Sequence, residues 1–292
     1  MTEATIELDQ VSIRYRRHVA LDGVSARAGA GDIIGLVGRN GAGKSTLLEA
    51  IAGLRLPDHG GARVFGQNSA QLDGRARHRI GLVFQDDELF EWMPVWRHLD
   101  VVASFYNNWQ TDRVSDLLRD WQVPLDQRVG NLSRGQRQML AIALALGHDP
   151  EVLLLDEPVS ALDPVARQDF LARLVDLACD SERTIVFSTH LIGDLERITN
   201  RLWLLSRGRL VIDEETDQLR EQTRRLTIRA QHELPDTLGL AGTLRERIEG
   251  RNAQVIIKSA AEPDLSTLES RLEARVEMER LGLESLCLEY LA

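Results

Sequence analysis

Nine residues, Gly38-Arg39-Asn40-Gly41-Ala42-Gly43-Lys44-Ser45-Thr46, constrain this chain more than any others. They carry the spacing G-x-x-x-x-G-K-[ST], directly after the apolar run Ile33-Ile34-Gly35-Leu36-Val37 and directly before Leu47, Leu48, Ile51 and Leu54 at helical intervals. The reading is a buried strand, a glycine-rich loop and a helix. In that arrangement the glycines let backbone N–H groups converge on phosphate oxygens and the helix N-terminus adds a partial positive charge. Lys44 then reaches the β- and γ-phosphates of a nucleoside triphosphate while Ser45 ligates Mg²⁺. A chemically silent glycine turn is the rival, but average residue usage puts a chance match in a chain of this length at about one in a hundred or less. Lysine is also scarce: 33 of the 35 cationic residues are arginine, and only Lys44 and Lys258 are lysine, a choice we ascribe to codon usage. A motif that demands lysine is harder to meet by accident in such a chain.

A second strand brings acids to the phosphates. Val152-Leu153-Leu154-Leu155 is apolar throughout, as a parallel strand buried on both faces is, and it runs straight into Asp156 and Glu157. Open α/β sheets bind ligands at strand ends, where the chain is already turning, so Asp156 can face a metal while Glu157 addresses an attacking water. Alone, such a pair reads as a solvated strand end. Together with a phosphate loop it reads as metal ligand and catalytic base.

Hydrophobic residues make up 43% and charged residues 27% of the 292, near globular averages, and the length suits one ordinary domain followed by a smaller one. The longest apolar run, Met139 to Leu146, is eight residues, against the roughly 20 that span a bilayer. Met1-Thr2-Glu3 offers an acid where a secretory leader carries a base, so the expected place is the cytosol. A net charge of −10 argues against nucleic acid as a partner, because that affinity comes from cations neutralising phosphates. Cys179 and Cys287 sit among leucine and alanine and read as buried, inert thiols.

With five further segments, the chain resembles the ATPase subunits of ATP-binding cassette (ABC) transporters across about residues 4 to 220. Leu132-Ser133-Arg134-Gly135-Gln136 is similar to the family's signature sequence, with Arg134 where a second glycine is usual. Ser133 and Gln136 also make a capping box opening a helix to about Leu146. The resemblance implies that Ser133, Gly135 and Gln136 meet the γ-phosphate held by a second subunit, so that two cassettes, alike or different, close around two ATP. Gln85, after Ile80-Gly81-Leu82-Val83-Phe84, fits the glutamine that senses Mg²⁺ and the attacking water. His190, after Thr184-Ile185-Val186-Phe187-Ser188-Thr189, fits the switch histidine on the γ-phosphate. Ser160-Ala161-Leu162-Asp163 matches the loop that crosses the dimer interface, and Asp163 before Pro164 is equally an N-cap. Tyr15, 23 residues before Gly38, stands where the family places the ring that stacks on adenine. A lone histidine or tyrosine carries none of this; the order of all seven segments does. The implied fold is α/β, a P-loop NTPase cassette with a RecA-like core, a helical subdomain over about 86–147 and an antiparallel β subdomain. The implied reaction is ATP hydrolysis with Mg²⁺. The implied partner is an integral membrane permease on a separate chain, which would hold this one at the cytoplasmic face of the membrane.

Eight of the 14 aromatic residues fall between Phe84 and Trp121, in a stretch that reads as helices, with Thr111 as N-cap and Val114, Leu117, Leu118 and Trp121 on one face. The run Asp86-Asp87-Glu88-Leu89-Phe90-Glu91-Trp92-Met93-Pro94 has neither a helical nor an alternating period. In the family this region receives a short helix of the permease. Phe90 and Trp92 are the candidate anchors, with core packing an equal reading.

Strands at 201–206 and 209–213 turn at Arg207-Gly208, and a charged stretch to Arg225 leads away from them. The expected boundary follows residue 222, so that 1–222 is the cassette and 223–292 a small α+β domain. There we read a strand at 226–231, a helical stretch at 240–249, a strand at 253–258, a helix at 264–275 and a last short helix at 284–291. The unit is similar to the short C-terminal extensions of exporter-type members, serves dimerisation or regulation, and favours export. The alternative for the whole chain is a soluble cassette ATPase of translation, DNA repair or cluster assembly. Such members carry paired cassettes or long coiled-coil insertions, and this chain has one uninterrupted cassette.

Overall fold

The computed structural model describes residues 4–16, 18–85, 89–179, 182–259 and 263–291. The chain divides into two compact units, Met1–Asp213 and Glu214–Ala292. The first begins with β1 (Ile6–Tyr15), β2 (His18–Ala28), β3 (Ile33–Val37), α1 (Lys44–Ile51), β4 (His59–Val64), β5 (Gln67–Asn68), α2 (Gly74–Arg77) and β6 (Ile80–Val83). Helices α3 (Val95–Ala103), α4 (Thr111–Asp120) and α5 (Arg134–Leu146) follow, then β7 (Val152–Leu155), α6 (Pro164–Cys179), β8 (Thr184–Thr189), β9 (Arg201–Ser206) and β10 (Arg209–Glu215).

Six strands form one sheet in the order β10-β9-β3-β8-β7-β6, and the pairs β3/β9, β3/β8, β7/β8 and β6/β7 are parallel. Every residue of β3, β7 and β8 is buried, which is why β3 and β7 read as apolar runs without alternation, whereas β8 also buries Thr184, Ser188 and Thr189. The second sheet, β2-β1-β4-β5, is antiparallel, and β1 buries Ile6, Leu8, Val11 and Ile13 with bulges that shift its register. Both sheets and α1 share one core, in which Leu21, Leu36, Leu47, Ile51, Leu154 and Trp203 meet. Parallel register has a direct consequence for function. Val37 pairs with Thr189 and Val83 with Leu155, so the loops after β3, β6, β7 and β8 all leave one edge of the sheet.

Helix α1 stops at Ile51, and Leu54, read as its last apolar position, lies beyond it and is 59% exposed. Gly53 forces that stop: it has φ +74°, and a Cβ there would come within 1.9 Å of Ser69 O. Thr111 is the first residue of α4 rather than its cap, which is Gln110 without a side-chain bond, whereas Val114 and Leu118 are buried as their spacing requires. The segment before α3 is fixed to the start of α5. Glu91 O accepts from Gly130 N at 2.8 Å, Met93 O from Val129 N at 2.9 Å, and Val95 N donates to Gln127 O at 3.0 Å. Arg137 of α5 donates to the Glu91 carboxylate at 2.8 Å and to Gly130 O at 3.0 Å. Asp86, Asp87 and Glu88 lie outside the described residues.

The second unit contains α7 (Thr216–Gln222), β11 (Thr223–Ala230), β12 (Thr243–Glu249), β13 (Asn252–Lys258), α8 (Leu265–Leu272), β14 (Ala274–Arg280) and α9 (Leu283–Leu291). Its antiparallel sheet has the order β12-β13-β11-β14, with α8 crossing from β13 to β14 on the far side of β11, a split β-α-β arrangement. Leu226, Ile228, Val255, Ile257, Leu268 and Val276 form a separate core. Two expectations fail here. Residues 243–249 are an edge strand, not a helix: Leu244 and Ile248 stand four apart among arginine and glutamate, but pairing with β13 decides. The helix expected over 264–275 ends at Leu272, where Glu273 takes a left-handed φ of 46° without any glycine to signal it, and β14 follows. The boundary expected after residue 222 coincides with the end of α7, whereas the compact units divide before that helix. Cys287 is buried; the side chain of Cys179 lies outside the described residues.

Candidate functional site

The glycine-rich loop joins β3 to α1. Gly41 and Gly43 have φ of +80° and +107°, and a Cβ on Gly43 would come within 2.4 Å of Ala20 O, so no other residue fits there. No side chain caps α1, which leaves its first N–H groups for a ligand. Lys44, only 7% exposed, donates to Gly38 O at 2.9 Å and stands 3.3 Å from Glu157 Oε1. Both charges are buried and each answers the other, as burial of ions demands. The second oxygen of Glu157 lies 2.8 Å from His190 Nδ1.

Glu157 adopts φ +49°, a left-handed conformation that an ordinary side chain takes only where its surroundings fix it. That turn sends consecutive carboxylates in different directions. Ser188 of β8 ties the pair together: its hydroxyl donates to Asp156 Oδ1 at 2.5 Å and accepts from the Glu157 N–H at 2.8 Å.

A cavity of about 430 Å³ lies over the loop, bordered by Tyr15, His18, Ala20, Asn40, Gly41, Gly43, Lys44, Ser45, Thr46, Gln85, Asp156 and Glu157. Gly38, Arg39 and Ala42 shape the loop without bordering it. A hydroxyl, an amide oxygen and a carboxylate from Ser45, Gln85 and Asp156 suit a hard cation such as Mg²⁺. Such an ion is held largely by phosphates and needs few carboxylates. The sequence reading passed over His18 and Ser188. His18 pairs with Tyr15 across the β1–β2 turn, and Ser188 is one of three polar residues in a fully buried strand, a signal it shares with Thr184 and Thr189.

An ABC transporter family profile matches residues 21–160. Nod factor export ATP-binding protein I of Paraburkholderia xenovorans (strain LB400) is 35% identical over 218 residues, 73% of this chain and 71% of that protein. This chain belongs to the ABC transporter ATP-binding family. The methionine import ATP-binding protein MetN of Brucella abortus (strain 2308) is 36% identical over 214 residues, 70% of the chain and 58% of that protein. Among solved structures, the ATP-binding subunit of an ABC transporter superposes with a TM-score of 0.68 at 28% identity, over 74% of this chain and 92% of its own. A dimeric ATP-binding cassette bound to ADP and Pi gives 0.66 at 25% identity, over 72% and 98%. The protein is therefore an ATP-binding subunit of the transporter class and an ATPase, and these relatives do not support the soluble alternative. Among the described residues no helix is long and apolar enough to cross a membrane.

The cassette's remaining segments do not border the cavity. Ser133 caps α5: its hydroxyl accepts from Gln136 N at 3.1 Å, and Gln136 Oε1 accepts from Ser133 N at 3.1 Å. The Gln136 amide also donates to Gln122 O at 3.0 Å, so that side chain is committed locally. Asp163 caps α6 by accepting from Val165 N and Ala166 N at 2.9 and 3.0 Å. Gly135 faces the same loop, since a Cβ there would lie 3.4 Å from Ala161 O. The signature helix and the loop expected to cross a dimer interface thus touch within one chain.

Proposed function

We propose that this cassette hydrolyses ATP with Mg²⁺ at the loop site and that Ser133, Gly135, Gln136 and Asp163 of a second cassette close over it. The hydrolysis drives a permease on a separate chain, in the direction of export. The observation that carries the reaction is the placement of Glu157 at the end of β7, 3.3 Å from Lys44 and 2.8 Å from His190. Glu157 accepts a hydrogen bond from the attacking water and draws off its proton. His190 orients that carboxylate through Nδ1 and turns its exposed edge toward the γ-phosphate. Lys44 offsets the charge that builds on the transferred phosphoryl group. Backbone N–H groups of the loop from Gly38 to Thr46, Arg39, Asn40 and Ala42 included, cradle the phosphates, and Tyr15 stacks on adenine. Ser45, Gln85 and Asp156 would hold Mg²⁺, which would supply positive charge to offset that of the phosphates.

Export is supported by the Nod factor export relative, of which the chain spans 71%, against 58% of the methionine import relative. Permease docking is supported by Phe90 and Trp92, which are 51% and 68% exposed rather than packed in a core. That docking would hold the chain at the cytoplasmic face of the membrane.

The test is Glu157→Gln. The variant should bind ATP at near-native affinity, turn over slower by a factor of about 10² or more, and become a dimer with two ATP by light scattering. Near-native turnover would remove Glu157 as the base, and a persistent monomer in ATP at high protein concentration would remove Ser133 and Gly135 from the interface. Recovering the tagged variant from native membranes and identifying the attached integral protein tests the permease.

A further inference from the structure

Tyr15 is tied to α1 at several points. Its hydroxyl lies 3.5 Å from Thr46 Oγ1 and 3.5 Å from Glu49 Oε2. The guanidinium of Arg55 lies over the ring, with Cζ 4.9 Å from the centroid. Arg55 is itself held, for its Nε is 3.4 Å from Glu49 Oε2 and its backbone N–H donates to Glu49 O at 3.2 Å in the turn that ends α1. One carboxylate therefore reaches both members of the stack. The ring borders the cavity over the phosphate loop, and Arg55 does not.

An aromatic ring has two faces to offer. Here a cation stands over one face, and the ring also borders the cavity in which a flat partner would lie. A tyrosine at the tip of a two-stranded turn would otherwise give up rotamer freedom on binding, and a ring already pinned by a cation and a carboxylate has less to lose. We propose that Arg55, set by Glu49, is a positioning residue for base recognition: it fixes the plane of Tyr15 before nucleotide arrives and acts on nucleotide only through that ring. The proposal rests on the reading of Tyr15 as the adenine platform.

A double-mutant cycle on the full chain tests it, with ADP binding by calorimetry and KM and kcat for ATP as readouts. Arg55→Ala should weaken ADP binding and raise KM roughly 2- to 5-fold, the range of an exposed cation–π contact, and leave kcat unchanged. Arg55→Lys should keep most of the affinity, because a cation remains over the ring. In a Tyr15→Ala background, Arg55→Ala should add nothing. The same loss in both backgrounds would mean that Arg55 meets the nucleotide directly, and no loss in the wild-type background would mean that the ring needs no support. Either result overturns the proposal while the platform reading stands. Normal ADP binding by Tyr15→Ala would end the platform reading and the proposal with it.

Discussion

Ser188 donates to the Asp156 carboxylate and accepts from the Glu157 N–H, so one hydroxyl holds a side chain and the backbone of the next residue at the end of β7. Ser188→Ala leaves that buried N–H unpaired, which costs about 1–3 kcal/mol, and frees the Asp156 side chain to turn. We expect a melting temperature lower by several degrees and a kcat lower by about 10-fold or more, with ATP affinity changed less. Steady-state kinetics alongside thermal melting checks this, and an unchanged kcat would reduce Ser188 to a packing residue. Lys44→Ala should weaken triphosphate binding and abolish turnover, since the developing charge loses its nearest cation; near-normal ATPase activity would end the assignment. Lys44, Asp156 and Glu157 were legible because each lies within a local spacing that the chemistry dictates. Ser188 was not, because its role depends on β7 lying beside β8 with Leu155 opposite Phe187, a pairing that no local pattern states.

Among the elements, α3 controls the exposed aromatic segment through His98. This histidine is only 4% exposed, its Nε2 accepts the Phe90 N–H at 3.0 Å, and its ring stacks on Phe90, which in turn lies 6.2 Å from Trp92. An accepting Nε2 places the proton of the neutral ring on Nδ1. Burial pushes the pKa of His98 below the ordinary histidine value, and burial does the same to His148, which stacks on Tyr106. With the folded value below the unfolded one, the unfolded chain binds more protons between the two. The contribution to stability is therefore whole above about pH 6.5 and is lost as pH falls through the folded value. Melting at pH 7.5 and pH 5 should show the loss, and His98→Gln should show less of it; an equal loss in both proteins would place the acid sensitivity elsewhere. Phe90→Ser and Trp92→Ser, made separately, should leave melting and ATP affinity near native while at least one no longer co-purifies with the permease. If both unfold early, or both still bind it, the anchor assignment fails. The buried strands β3, β6 and β7 and the signature helix were readable as apolar runs and a cap because each is decided locally, whereas β1, β2 and β4 of the antiparallel sheet had no reading of their own. The edge strands β12 and β14 were not readable, because their charged residues protect an open sheet edge and locally suit a helix as well.

At the scale of the whole molecule, each unit has its own apolar core, one around α1 and the two sheets of the first, the other under α8 of the second. Calorimetry should resolve two transitions. Saturating nucleotide should raise only the first, by about 2.7 kcal/mol of stability at a hundred times Kd. One cooperative transition, or equal shifts in both, would contradict two independent cores. The distribution of lysine offers a way to watch the first unit at work. Lys44 is buried between Gly38 O and Glu157, and the chain's other lysine, Lys258, is ion-paired with Glu214 in the second unit. Guanidinium groups ignore reagents that acylate amines, so a protein whose cations are nearly all arginine is almost silent to them. The rate at which Lys44 is acylated becomes a clock for how often the phosphate loop is laid open. Lys258, read in the same digest, is its built-in reference.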